Sequence, residues 1–392
     1  MKIVTALSGG VDSAVAAARL VAQGHEVIGA TLRLGDLATC GLGASRCCSP
    51  GDLERAARVC WQLGIPHHVV ETGEAFQREV LGPFVAVYLE ARTPSPCVRC
   101  NSRVKLAALG TLADELGAEA VATGHYARVT PARDGTSALW RGVDRDKDQS
   151  YFLFELERRH LARLVLPLGE ARKGDVRDEA AALGLASATQ PDSQEICFVP
   201  PGGSYVDVLE VLAGDRLPPA GEIVDTGGAV LGRHHGLHLY TVGQRQGLGI
   251  ATGRRMYVID LDHARNRVIV GSERDLPKRR LHLAEVSWLT DDVPGSAVGC
   301  AVQVRSRARP AAGTVVMRGD ASAVVELDEP VTAPAPGQAA VFYDAERVLG
   351  GGWIIPDSGF ESEVLGGSAG YIGRAGSTGG AGPSGMAPKL RS

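Results

Sequence analysis

Lys2 to Ala6 is a short apolar run that breaks into Ser8-Gly9-Gly10-Val11-Asp12-Ser13 and then into a helical pattern with Val11, Val15, Ala18 and Ala22 on one face. A strand that feeds a Gly-Gly bend and then a helix is the first unit of a parallel α/β sheet, because parallel strands need a crossover between them. The bend constrains the chemistry as well. Two glycines let the backbone take positive φ and approach a ligand closely. The amides and dipole of the following helix N-terminus favour an anion. Ser8 and Ser13 add hydroxyl donors, whereas Asp12 would repel phosphate and is expected to orient the loop or hold Mg2+. A Gly-Gly bend alone predicts only a βα turn; the whole string behind a strand predicts phosphate binding.

The alternation continues. His25–Leu32, Pro66–Glu71 and Ala118–Thr123 read as strands, and Asp52–Leu63 and Glu74–Glu90 as helices. After a proline-rich break, Asn101 is placed to cap a helix carrying Val104, Ala108, Leu112 and Leu116 on one face. The expected architecture is α/β: a doubly wound parallel sheet over residues 1–200, with its ligand at the strand C-termini. Val176–Leu183 reads as a helix within it. A small mixed α+β domain follows over 201–275, rich in glycine and β-branched residues. Short alternating segments at Gly299–Arg305, Gly313–Met317, Ala323–Leu327 and Ala339–Phe342 predict an antiparallel barrel over 276–356. Residues 357–392 are Gly, Ser and Ala with few large apolar side chains, so a disordered tail is expected there.

A chain of 392 residues with a formal net charge of −4 does not bind nucleic acid through bulk charge, so any such contact must be local. Lys278-Arg279-Arg280 reads as a solvated face. Arg305, Arg307 and Arg309 alternate as if along one side of a strand, the geometry of a phosphate-facing stripe. No apolar run reaches membrane-spanning length and no signal peptide precedes the first strand, which predicts a cytoplasmic protein without membrane partners. There, eight cysteines are expected to be catalytic, metal-binding or buried rather than a disulfide framework.

Thr93-Pro94-Ser95-Pro96-Cys97-Val98-Arg99-Cys100-Asn101 holds the informative pair. Cys100, read as the start of a helix and flanked by Arg99 and Arg103, is expected to favour a thiolate. By itself a C-x-x-C pair leaves several readings. A redox dithiol lacks its usual context, zinc lacks a second pair, and a buried structural pair remains open. Cys197, far along the chain in a polar stretch, adds a distant thiol. One thiol can carry sulfur as a persulfide while another resolves it. Cys60 and Cys300 read as core; Cys40, Cys47 and Cys48 fit loop packing better than a metal site; His67-His68 opens a strand with no metal partner in view.

Ser8 to Ser13 resembles the PP-loop of ATP pyrophosphatases. It lacks the Gly-Lys-Ser/Thr ending of a Walker loop, so the resemblance implies adenylation with release of pyrophosphate. Thr93–Asn101, Ala122-Thr123-Gly124-His125-Tyr126, Lys147–Leu153, Glu195-Ile196-Cys197-Phe198, Thr241–Ile250 and Pro336–Tyr343 extend the likeness. Across them the chain, from Met1 to Pro356, is similar to the bacterial tRNA-specific 2-thiouridylases. The resemblance implies adenylation of the C2 oxygen of wobble uridine 34 and its replacement by sulfur, with Cys100 as nucleophile and Cys197 as persulfide carrier. It implies ATP and Mg2+ as cofactors, with Ala6, Leu7, Ser8, Gly9, Gly10, Val11, Asp12, Ser13, Leu32 and Gly124 at the nucleotide. Ser95, Pro96 and Cys97 would face the target base. His125, Lys147, Asp148, Gln149, Arg307, Ala308 and Gln338 would touch tRNA. A sulfur-relay protein or cysteine desulfurase would be the donor.

Two positions depart from the family pattern. Cys97 stands where many relatives carry an aspartate viewed as an acid/base, and Ala308 is small where relatives present a larger side chain. With Cys97, three thiols (Cys97, Cys100, Cys197) are also candidates to hold a [4Fe-4S] cluster with one open iron. Persulfide and cluster-assisted mechanisms both stay open at this level. So do two other functions: nitrogen transfer by an NAD or GMP synthetase-type enzyme, and a non-catalytic tRNA-binding protein.

Overall fold

In the computed structural model, which describes residues 1–35, 50–131, 136–190, 196–290, 297–318 and 321–357, the N-terminal unit is the middle of a parallel sheet. The strands are β1 (Lys2–Ala6), β2 (Glu26–Arg33), β3 (His67–Glu71) and β4 (Ala120–Ala122). β5 (Ala127–Pro131) and β6 (Ser137–Arg141) form a hairpin, and β7 (Leu164–Val165) returns to the first sheet. The sheet order is β3-β2-β1-β4-β7, every pair parallel. Ile3, Val4 and Thr5 are fully buried, as a strand covered on both faces requires. The chain builds outward from β1 through β3, then returns to β4 on the other side of β1. That reversal opens a crevice at the C-terminal ends of β1 and β4. The helix Val11–Ala22 packs with Val11, Val15 and Ala18 buried, whereas Ala22 at its end is exposed rather than part of the buried face.

The helices predicted from Asp52 and Glu74 begin at Pro50 and Gly73, and two helices that bear on the site start earlier than predicted by a larger margin. The one after the proline-rich break begins at Pro96, runs one turn to Arg99, passes through a π-helical segment Cys100–Lys105 and continues as Leu106–Glu115. Proline suits a first helical turn, because its fixed φ is helical and the amide it lacks has no partner there. Asn101 is therefore no cap; it is buried, with its side-chain amide donating to the carbonyl of Phe152 at 3.2 Å. The second helix spans Lys173–Ala182 instead of starting at Val176.

The middle region is a four-stranded sheet of β8 (Gly221–Asp225), β9 (Val230–His234), β10 (Tyr257–Asp262) and β11 (Arg267–Gly271), in the order β10-β11-β8-β9. The C-terminal strands are β12 (Pro277–Trp288), β13 (Ala297–Gln303), β14 (Ala311–Met317), β15 (Ala323–Thr332), β16 (Ala339–Asp344) and β17 (Arg347–Ile355). They run antiparallel in the order β12-β15-β14-β13-β16-β17, and pairing of β12 with β17 closes a six-stranded barrel. The β5–β6 hairpin reaches out of the first domain to pair Trp140 with Arg347 of the barrel.

The predicted arginine stripe is not on a strand. β13 ends at Gln303, whose side chain donates to the carbonyls of Arg305 and Ser306 at 3.0 and 2.9 Å and turns the chain. Arg305 to Ala308 form a turn closed by the Ala308 amide on the Arg305 carbonyl at 3.0 Å, so strand alternation does not apply. Lys278, Arg279 and Arg280 do lie on an exposed stretch of β12, Arg280 paired with Glu326 at 2.6 Å. Cys40, Cys47, Cys48, Glu195 and residues 358–392 fall outside the described residues.

Candidate active site

The Ser8–Ser13 loop lies in the β1/β4 crevice. Gly9 adopts φ +76°, and a Cβ there would fall 2.6 Å from the Asp52 carbonyl oxygen. Gly10 precedes the helix in an extended conformation with no side-chain cap, so the helix start is left open to a ligand. Ser13 braces the bend. Its Oγ accepts from the Ser8 amide at 3.2 Å and donates to the Gly10 carbonyl at 3.0 Å, with the Ser8 hydroxyl 3.3 Å away. Leu7 is buried and Ala6 and Leu32 are partly buried against the sheet core, forming the apolar floor.

Gly124, two residues past the end of β4, lies directly against this loop. A Cβ at Gly124 would lie 2.8 Å from the Asp12 carbonyl carbon and 2.8 Å from the Ser13 nitrogen, so any side chain would push the first helical turn away. Gly124→Ala is expected to cost about 1–3 kcal/mol of stability and to weaken ATP binding. Thermal melting paired with a nucleotide titration checks this; unchanged values in both would contradict the contact.

Asp12 is held from the far side of the crevice. Lys173 Nζ lies 2.7 and 2.8 Å from its two carboxylate oxygens, and the Tyr126 hydroxyl donates to Oδ1 at 2.8 Å. Lys173 is buried. The sequence reading missed it, because it missed the first turn of its helix. A signal exists: a lysine at a helix start opposes the dipole and needs an acidic partner. The pair fits loop orientation, and it cancels the charge with which Asp12 would repel a polyphosphate.

The cysteine loop is fastened to the other two domains. The Thr93 amide donates to the Pro336 carbonyl at 2.8 Å, and its hydroxyl donates to that of Thr241 at 3.2 Å. Gln338 donates through Nε2 to the carbonyls of Thr93 and Pro94 at 3.1 and 3.0 Å. Gln338 thus sets the path of Ser95 and Pro96, both buried, into the turn carrying Cys97. Cys100 is buried in a cluster with Phe76, Phe84 and Phe198, and Cys197 packs against the same cluster. Phe198 meets Phe84 and Phe76 edge-on, with centroids 5.0 and 5.9 Å away. The two cysteines, 97 residues apart in sequence (197 − 100), therefore share one apolar environment.

Because the helix starts at Pro96, Cys100 lies a full turn inside it, not at its N-terminus. The arginines do not serve it either. Arg99 reaches Glu285 at 2.9 Å and Glu155 at 3.8 Å, and Arg103 reaches Glu155 at 3.7 Å. The cation on the sulfur side is Lys105. Burial pushes the Cys97 thiol up, and the Lys105 charge partly offsets this. His125, with Nδ1 2.8 Å from the Thr123 hydroxyl, is pushed down to about 3, chiefly by desolvation and in smaller part by the Lys105 charge. One lysine charge is thus felt both at the cysteine loop and at the residue following Gly124.

His125 is therefore neutral at ordinary pH. Its folded value lies below the unfolded 6.5, so the unfolded chain binds more protons between pH 6.5 and about 3. The stability this ring contributes is complete above pH 6.5 and is lost as pH falls. His125→Gln is expected to flatten the acid side of the stability curve, read from urea unfolding at pH 7 and 5; an unaltered slope would contradict it.

The remaining expected residues take these places. Asp148 accepts from Arg141, from the Gly142 and Ser150 amides and from the Ser150 hydroxyl, all at 2.8–3.1 Å. Gln149 accepts from the Tyr126 amide at 3.0 Å and returns its own amide to the Tyr126 carbonyl at 2.9 Å. The Lys147-Asp148-Gln149 segment thus supports Gly124-His125-Tyr126 from beneath. Arg307 is exposed, and Ala308 rests partly on the barrel core. His67 sits 2.8 Å from the Thr31 hydroxyl, which donates to the Leu7 carbonyl; this props the crevice floor. Burial pushes the Cys60 and Cys300 thiols up to about 12; Cys60 lies in the core as expected, whereas Cys300 is only partly buried against the barrel core. Among the described residues no three His, Cys, Asp or Glu side chains converge as a ligand set, so Cys97, Cys100 and Cys197 do not form a cluster cradle in this arrangement.

A parallel α/β domain with an open glycine-rich loop at its switch point, a neutralised aspartate in that loop and a thiol-bearing helix beside it defines an ATP-using PP-loop enzyme. The family model described as the tRNA methyl transferase HUP domain matches residues 1–201, the PRC-barrel domain model 210–272 and the aminomethyltransferase β-barrel model 278–354. A tRNA-specific 2-thiouridylase MnmA from Chloroflexus aurantiacus is 47% identical over 90% of this chain and 98% of its own length. The same enzyme from Acidithiobacillus ferrooxidans is 48% identical over 90% and 98%, and that from Paramagnetospirillum magneticum 49% over 91% and 95%. The chain belongs to the tRNA-specific 2-thiouridylase family. Among the described residues no helix is long and apolar enough to cross a membrane.

Proposed function

We propose that this chain converts the wobble uridine of tRNA to 2-thiouridine, using ATP to activate the C2 oxygen and a cysteine persulfide to replace it. The observation that carries this reading is the open Ser8–Ser13 loop together with two cysteines on one apolar cluster in the same chain. The C2 oxygen attacks the α-phosphorus of ATP, pyrophosphate leaves, and an O-adenylated base results. The loop amides stabilise charge on the phosphates, and bound Mg2+ would neutralise more of it. The terminal sulfur of a Cys197 persulfide attacks C2 and AMP departs, leaving a C2–S–S–Cys197 disulfide. Cys100 thiolate attacks the Cys197 sulfur, which releases 2-thiouridine and leaves a Cys100–Cys197 disulfide. A dithiol reductant returns both thiols, and an external persulfide donor, a relay protein or a cysteine desulfurase, recharges Cys197.

The base has to leave the anticodon stack to be reached. Ser95, Pro96 and Cys97 would receive it, while His125, Lys147, Arg307 and Ala308 would meet the RNA around it. A cytoplasmic location, where thiols stay reduced, accords with this chemistry. No step is drawn through an iron–sulfur cluster, since the three thiols do not converge. Incubating the protein with an unmodified tRNA transcript, ATP, Mg2+ and glutathione persulfide as the sulfane-sulfur donor, then digesting the tRNA to nucleosides, tests the proposal. 2-Thiouridine with stoichiometric AMP is the expected result. Nitrogen transfer to a small molecule without tRNA, or tRNA binding without pyrophosphate release, would overturn it.

A further inference from the structure

The helix under Cys100 is not an ordinary α-helix. Its π segment Cys100–Lys105 begins at the nucleophile. π turns are energetically marginal, persist where tertiary contacts hold them, and occur often at functional sites. Here the holding contact is one buried carboxylate that the sequence reading passed over. Ser102, in the middle of the π segment, places its hydroxyl 2.9 Å from Glu155 Oε2, 3.0 Å from the Val98 carbonyl and 3.3 Å from the Arg99 carbonyl. Ser102 and Glu155 are both buried. A hydroxyl has one proton, and the carboxylate is the strongest acceptor within reach.

The other oxygen, Oε1, faces the barrel. It accepts from the Trp353 indole at 3.4 Å and lies 3.8 and 3.7 Å from the Arg99 and Arg103 guanidiniums. Arg99 stacks over the Trp353 ring, 4.8 Å from its centroid, and binds both oxygens of Glu285 at 2.9 Å. Glu285 is held at φ +49° in the bulge of β12, a conformation costly for a non-glycine residue. Glu155 therefore touches the cysteine helix through Ser102, Arg99 and Arg103, and the barrel through Trp353 directly and Glu285 by way of Arg99.

We propose that Glu155 is a positioning residue for sulfur transfer: by clamping Ser102 and Arg99 it holds the π turn that aims Cys100, and so makes barrel docking a condition of the thiol step. Among the described residues its hydrogen bonds and ion pairs reach neither the nucleotide loop nor Ser95, Pro96, Cys97 or His125, so adenylation should not depend on it. This rests on the thiolation reading above, and the test separates the two. In the persulfide-donor assay with full-length protein, Glu155→Gln and Ser102→Ala are expected to lower 2-thiouridine formed per pyrophosphate released by about tenfold or more, while the rate of pyrophosphate release is unchanged. Glu155→Asp, which keeps the charge, should recover part of the loss. Iodoacetamide alkylation of Cys100 relative to Cys197, followed by mass spectrometry, should change in Glu155→Gln and Ser102→Ala. Pyrophosphate release and thiolation falling together would overturn the proposal, as would a wild-type coupling ratio with wild-type alkylation. Alkylation needs neither tRNA nor a persulfide donor. A wild-type protein that forms no 2-thiouridine would thus end the proposed function while the Glu155 comparison stays readable.

Discussion

Cys100→Ser is expected to reduce multiple-turnover thiolation by on the order of 10^4-fold, because the resolving thiolate has no substitute among hydroxyls. Cys100 and Cys197 pack on one aromatic cluster, which puts both thiols in the same part of the fold. Removing Cys100 should stop the reaction after sulfur has attacked C2. The expected signature is a tRNA–protein adduct, joined through the C2–S–S–Cys197 linkage and released by dithiothreitol. Pyrophosphate release in a single turnover and tRNA affinity should stay near wild type. Cys197→Ser should give adenylation without any adduct. Full activity in either variant would remove the relay. Adduct formation, seen by gel shift under non-reducing conditions, distinguishes the order of the two cysteines.

Lys173→Met is expected to lower tRNA-dependent pyrophosphate release by roughly 10^2–10^3-fold, the usual consequence of losing one preorganised charge contact at a phosphate site. Lys173 binds both oxygens of Asp12 in the nucleotide loop. Without it, a bare carboxylate faces the triphosphate. The stability cost should be modest, about 1–2 kcal/mol, since the Asp12 side chain is 35% exposed and water can replace the lost partner. The double variant Asp12→Asn, Lys173→Met removes the repulsion together with the cation and should recover part of the activity. A double variant no better than Lys173→Met would show that charge cancellation is not what Lys173 supplies.

Much of this site is legible before folding. Ser8 to Ser13 is local: strand, bend and helix start are contiguous, and the chemistry of an anion seat lies within six residues. The barrel is legible too, since alternation along each strand is a local property. The arginines show where local pattern misleads. Arg305 and Arg307 alternate correctly but sit in a turn, because the Gln303 side chain takes up the next carbonyls and ends the strand. Arg99 and Arg103 flank Cys100 in sequence, yet their guanidiniums turn to Glu155 and Glu285. A proline read as part of the break before the helix instead opens it at Pro96, which moves Cys100 away from the helix end.

By itself the sequence pointed to a phosphate seat at the first βα bend and to Cys100 and Cys197 as candidate thiols, because those features rest on neighbouring residues or on reactive groups that few roles require. Only the tertiary structure decided which charges act where. Lys173 and Asp12 are 161 residues apart, and Ser102 and Glu155 53 apart. Periodicity specifies which face of an element is apolar, but not which distant polar group will meet it. That choice comes from sheet order and barrel closure, which bring buried charges together and leave each the partner it needs.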